Sequence, residues 1–137
     1  GGLGEKKTLR LVAKHADGWN AAYTSVEHFT HLGKVLDQWC EKQNRDPQTM
    51  KKSINLTFNL GATEADVKLE REKLREAWGA AAARIEGGAL LCTPTEAIDR
   101  IKAYEEAGAD MVNVALRAPW NQDALDTYIE DVMPALR

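Results

Sequence analysis

Short runs of β-forming residues alternate along the whole chain with stretches whose apolar residues recur every three or four positions. That alternation leaves few folds open. Glu5 to Ala16 carries Leu9, Val12, Ala13 and Ala16 on one stripe, which predicts a helix closed by Asp17-Gly18. Trp19 to Tyr23 reads as a buried strand. Ser25 reads as the N-cap of a long helix whose inner face is Phe29, Leu32, Leu36, Trp39 and Cys40. Turn chemistry at Asn44-Arg45-Asp46-Pro47 stops it, and the alternating Ser53 to Phe58 predicts a second strand.

Glu64 to Glu86 is helical by spacing, with Val67, Leu74, Trp78, Ala81 and Ile85 inward, until Gly87-Gly88 breaks it. Thr93-Pro94-Thr95-Glu96 is a capping box with proline at the first helical position, followed by Ile98, Ile101 and Tyr104 and closed at Ala107-Gly108. Met111 to Leu116 is the third predicted strand. Asn121 caps a last helix with Leu125, Tyr128, Ile129, Val132 and Leu136 facing inward. Strands separated by helices imply parallel βαβ units with right-handed crossovers. The fold class is therefore α/β, with about three parallel strands and flanking helices.

A complete (β/α)8 barrel takes about 250 residues. This chain has 137, and it begins and ends between units. The pattern reads as half a barrel, with residues 1–137 as one partial domain. Lys and Arg number 18 against 21 Asp and Glu, a net charge of −3 with no basic block, which argues against a nucleic-acid partner. No apolar run approaches the roughly 20 residues of a membrane span, and no signal peptide is expected. Cys40 and Cys92 are too few for a disulfide framework, so a cytoplasmic chain is expected.

The chemistry is most legible at the start. Gly1-Gly2-Leu3-Gly4-Glu5-Lys6-Lys7-Thr8 is a glycine-rich turn running into a helix. Such a turn presents unpaired N–H groups at the positive end of a helix dipole and lets a phosphate approach the backbone. Lys6 and Lys7 add charge. Neither a G-x-G-x-x-G nor a Walker A spacing is met, and a flexible leader before a charged helix start fits the composition equally.

The segment Gly1-Gly2-Leu3-Gly4-Glu5-Lys6, with Thr8-Leu9-Arg10-Leu11 and Ala16-Asp17-Gly18-Trp19-Asn20 after it, closely resembles the corresponding stretch of luciferase-like flavin- and F420-dependent oxidoreductases. Val35-Leu36-Asp37, Arg45-Asp46-Pro47, Thr93-Pro94-Thr95-Glu96-Ala97, Ala107-Gly108-Ala109-Asp110 and Pro134-Ala135-Leu136-Arg137 continue the resemblance in order. It implies the C-terminal half of a (β/α)8 barrel that binds coenzyme F420, or alternatively FMN, at the C-terminal ends of the strands. It implies hydride transfer with a small organic substrate, or an FMN-dependent monooxygenase reaction. The carried-over cofactor-binding residues are Gly2, Leu3, Gly4, Glu5, Lys6 and Lys7, with backbone N–H groups foremost. Glu5 is expected to cap the helix, because a carboxylate repels a phosphate. The absent N-terminal half leaves two expectations: self-association, or pairing with that half. A non-catalytic half-barrel is the alternative from another class.

Arg117 follows the third predicted strand, where barrel active sites gather, and is a candidate for a substrate or cofactor anion or for a loop salt bridge. Asn20 and Asn55 are candidates to hydrogen-bond a ring edge inside a barrel or to satisfy nearby backbone. His28 and His31 have no third metal ligand at supporting spacing, so a solvated helix face is expected and no metal site. Cys40, Trp39 and Trp78 read as helical core residues. No catalytic residue is assigned.

Overall fold

The computed structural model describes residues 2–137, so Gly1 of the opening motif lies outside the described residues. Three strands form a continuous parallel sheet: β1 (Gly18–Ala22), β2 (Lys51–Phe58) and β4 (Met111–Ala115). β2 is central, pairing with β1 from Gly18↔Lys51 to Ala22↔Asn55 and with β4 from Ser53↔Met111 to Thr57↔Ala115. Among the described residues, the far edges of β1 and β4 have no partner. This is a segment of barrel wall with both ends open.

A fourth strand, β3 (Ala89–Leu90), corrects the expected count of three. Tyr23 N–H donates to Asn55 O, while Thr57, Asn59 and Gly61 N–H donate to Gly88, Leu90 and Cys92 carbonyls. Alternate residues of a strand point the same way, so β3 continues along the edge of β2 where β1 leaves it. Two residues bounded by glycine carry no periodicity to detect. Gly88 makes the join possible: a Cβ there would lie 2.1 Å from the backbone carbon of Tyr23.

The helices are α1 (Thr8–His15), α2 (Val26–Lys42), α3 (Glu64–Trp78), α4 (Ala82–Glu86), α5 (Pro94–Glu106) and α6 (Gln122–Thr127). Ser25 caps α2 through His28 N–H, Asn121 caps α6 through Ala124 N–H, and the Thr93–Glu96 capping box is present. A second box, Thr63 with Asp66, opens α3. Four local expectations fail.

Gly18 does not cap α1: it is the first residue of β1, and the Arg45 guanidinium takes the Ala13 and Ala16 carbonyls instead. The helix expected from Glu5 begins at Thr8, because a wide turn from Gly4 O to Leu9 N–H occupies residues 5–7. The helix expected from Glu64 to Glu86 breaks at Gly79, whose φ of +50° ends α3 before a 3-10 turn and α4. After α6 the chain makes a π turn at Tyr128–Val132, which rotates the apolar face and leaves Ile129 50% exposed rather than inward.

The main core lies between the sheet and α1, α2, α5 and α6. Trp19 stacks on Phe29 at 5.4 Å, and Phe29 meets Tyr104 edge-on at 5.9 Å. The Tyr104 hydroxyl donates to Thr24 O at 2.6 Å, satisfying its polar end, and burial pushes that phenol up to about 12. Cys40 is fully buried, as its spacing predicts, and burial raises its thiol pKa. A smaller cluster of Val67, Leu74, Ala82, Ile85, Ala89 and Leu91 lies under α3 and α4. Among the described residues, no helix is long and apolar enough to cross a membrane.

Candidate functional site

The C-terminal ends of the strands form one cleft. A cavity of about 440 Å³ is bounded by the end of β2 (Thr57 to Leu60), one face of α3, and the loop from Arg117 to Asn121 that follows β4. Its chemistry comes from residues of several segments. The Thr57 hydroxyl donates to Asn59 Oδ1 at 2.9 Å, and Asn59 Nδ2 donates to Glu70 at 3.4 Å. Lys73 Nζ donates to the other oxygen of Glu70 at 2.7 Å, so this nearly buried carboxylate is neutralised in place. Trp78 lies across the mouth. Tyr23, at the end of β1, meets its ring edge-on at 5.6 Å, and the Arg117 guanidinium carbon sits 4.2 Å from its centroid.

Arg117 is the one expected site residue in this cavity. It forms no salt bridge among the described residues and stacks on an aromatic face instead. Trp78 corrects its own expectation. Helical spacing places it inward, but it is the last residue of α3, is only half-buried, and becomes a site wall. Tyr23 was also beyond sequence reasoning. It holds φ at +53°, a region that bulky residues rarely occupy and that gathers at functional sites. No sequence signal marks a tyrosine for that backbone.

The face of the sheet turned away from the Trp19–Phe29 core carries a row of amides. Asn55 Oδ1 accepts from Asn20 Nδ2 at 3.2 Å and from Asn113 Nδ2 at 3.2 Å, and Asn20 also donates to Ser53 Oγ at 2.9 Å. Barrel interiors are usually filled by bulky branched side chains. Here the middle layer is polar, and the Asn55 Nδ2 donors have no protein acceptor among the described residues. The third member, Asn113, was not singled out by sequence.

The opening loop lies elsewhere. Gly2 O accepts from Trp19 Nε1 at 2.9 Å, Glu5 O accepts from Trp39 Nε1 at 2.8 Å, and the Glu5 carboxylate pairs with His31 at 2.8 Å. Glu5 therefore ties the loop to α2 and does not cap α1, and Trp39, half-buried against the core, also anchors the loop. A Cβ on Gly4 would meet Thr8 Oγ1 at 2.8 Å, so the glycines let the loop fold closely over the helix start. Leu3 packs against the core. Among the described residues, the N–H groups of Glu5, Lys6 and Lys7 find no acceptor, and the ammonium groups of Lys6 and Lys7 have no acidic partner. These free donors fit a phosphate. None of residues 2–7 lines the cavity at the strand ends.

No family model matches the sequence, and no curated protein matches it. Solved structures do. An F420-dependent secondary alcohol dehydrogenase in complex with an F420-acetone adduct matches with TM-score 0.74 at 16% identity, over 94% of this chain and 46% of that one. The chain has the fold of half a (β/α)8 barrel. The half-barrel also matches the coenzyme F420-dependent tetrahydromethanopterin reductase of Methanopyrus kandleri, with TM-score 0.71 at 14% identity, over 99% of this chain and 50% of that one. The oxygenating constituent of 3,6-diketocamphane monooxygenase from Pseudomonas putida, a type II Baeyer-Villiger monooxygenase in complex with FMN, matches with TM-score 0.61 at 13% identity. That match covers 96% of this chain and 46% of the other. The half-barrel thus spans about half of each.

Proposed function

We propose that the half-barrel is part of an oxidoreductase that uses a deazaflavin, coenzyme F420, to move hydride to or from a small organic substrate. The FMN-dependent monooxygenase is the second reading, favoured by the same fold likeness to an FMN-bound structure. The observation that carries the redox reading is the amide row Asn20–Asn55–Asn113 on the face of the sheet turned away from the helical core, in a chain with this fold. A flavin or deazaflavin ring edge is a string of C=O and N–H groups. Amides with free donors and acceptors can bind such an edge, whereas a packed aliphatic layer cannot. The bound cofactor supplies the two-electron chemistry, and the protein supplies position and electrostatics.

In this reading Gly2, Leu3 and Gly4 shape the loop, and the N–H groups of Glu5, Lys6 and Lys7 take the cofactor phosphate, with the two ammonium groups adding charge. The open edges of β1 and β4 take further strands, from a second copy or from an N-terminal half, to close the wall. Titration of the chain with FMN and with riboflavin, which lacks the phosphate, tests the loop. FMN should bind more tightly, and K6Q/K7Q should reduce that advantage while leaving riboflavin unchanged. Substituting Asn55→Leu should weaken F420, FMN and riboflavin alike. Failure of all three to bind the chain, alone or with a complementary half, would refute the reading.

A further inference from the structure

We infer that the cavity at the strand ends is an organic-anion site, in which Arg117, seated on Trp78, binds a carboxylate or similar acidic group and the indole of Trp120 holds a flat apolar body. This assigns a substrate class to the proposed oxidoreductase and rests on that reading for its redox role, though not for the binding itself. The argument starts from the guanidinium. A surface arginine usually finds a carboxylate, and two line this cavity, Glu70 and Glu76. Arg117 pairs with neither. Glu70 is held by Lys73 and Asn59, and among the described residues no acidic group lies in ion-pair range of Arg117.

What fixes Arg117 is Trp78, 4.2 Å beneath it. With its guanidinium carbon over the indole, Arg117 donates to no protein acceptor among the described residues, and its planar fork of N–H groups matches the two oxygens of a carboxylate. Trp78 also packs against Tyr23, whose ring meets it at 61° with centroids 5.6 Å apart.

The rest of the lining defines the other end of the ligand. Trp120 is 48% exposed beside the cavity, although large aromatics normally bury more fully, and its Nε1 is occupied by Gln122 Oε1 at 3.2 Å. Its indole face therefore remains for contact. Phe58, Leu60, Ala115 and Pro119 complete an apolar wall. At about 440 Å³, the cavity falls at the small end of ligand pockets, which fits a one- or two-ring molecule.

Calorimetric titration of the full chain with 2-naphthoate and with its neutral counterpart 2-naphthylmethanol tests the assignment. Naphthoate should bind more tightly. R117Q should weaken it by about ten- to a hundredfold, the usual range for a charge-assisted hydrogen bond, while changing naphthylmethanol by less than about twofold. R117K, which keeps the charge but not the planar fork, should fall between. W120A should weaken both ligands. Equal binding of acid and alcohol, or an R117Q chain that keeps the preference for the acid, would overturn the inference. So would an R117Q chain that loses the preference for FMN over riboflavin, because the cavity would then hold the cofactor phosphate. If FMN, riboflavin and F420 all fail to bind while naphthoate behaves as stated, the anion site stands and only the redox reading falls.

Discussion

Replacing Gly88 with alanine should damage this fold more than any other single methyl added to a glycine. The new Cβ would lie 2.1 Å from Tyr23 C and 2.2 Å from Thr24 N, and both contacts are backbone, so no side chain can swing away. The segment must withdraw from the end of β1. Withdrawal breaks the hydrogen bonds from Thr57, Asn59 and Gly61 to Gly88, Leu90 and Cys92. At about 0.5–1.5 kcal/mol net each, those bonds account for roughly 1.5–4.5 kcal/mol, and crowding a packed interior costs about 1–3 kcal/mol where relief is incomplete.

A loss of about 3 kcal/mol is the central expectation, which for a domain of this size lowers Tm by roughly 10 °C. Urea unfolding followed by far-UV ellipticity measures the loss, and hydrogen exchange at Thr57, Asn59 and Gly61 locates it. Gly33→Ala is the internal contrast. Gly33 sits inside α2 and its Cβ would meet only Lys52 Nζ at 3.9 Å, so this change should stabilise by about 0.5–1 kcal/mol. A G88A chain within about 0.5 kcal/mol of wild type, the range of neutral surface changes, with those three amides still protected, would refute the placement of β3.

Thr63→Ala removes the hydroxyl that accepts from Asp66 N–H and should cost about 1 kcal/mol, read from the urea midpoint. Arg45→Met keeps the aliphatic stem but leaves the Ala13 and Ala16 carbonyls without their guanidinium; about 1.5–3 kcal/mol should be lost, with faster exchange across α1. Burial pushes the Cys92 thiol from 9.0 up to about 11, so the folded state favours the neutral thiol. Its contribution is complete below pH 9 and is lost as pH rises toward 11; urea midpoints at pH 8 and pH 10 should differ more for wild type than for C92A.

Local sequence chemistry was a sound guide at three helix starts, though not at the Gly18 and Glu5 ends of α1. Ser25, Asn121 and the Thr93–Glu96 box cap the helices they were expected to cap, because capping joins groups three residues apart. The period-two run ending at Phe58 and the apolar stripe of α2 were legible for the same reason. Trp39 and Trp78 show the limit. Each has the right spacing for a core face and packs against a core, but each stays half-buried because it also engages a loop residue. Trp39 anchors Glu5 O, and Trp78 carries Arg117.

By itself, the sequence determined that strands and helices alternate and that a glycine-rich turn with two lysines precedes α1; hydrophobic period and turn residues encode both locally. The tertiary structure alone decided that β3 extends the edge of β2, that Glu5 pairs with His31 rather than capping α1, and that Tyr23 and Arg117 both pack on Trp78. Tyr23 and Arg117 belong to different strand ends, and Trp78 lies between them in the chain. No local pattern records which ends of a parallel sheet will face each other. Sheet register decides that, and it exists only once the helices have packed against the strands.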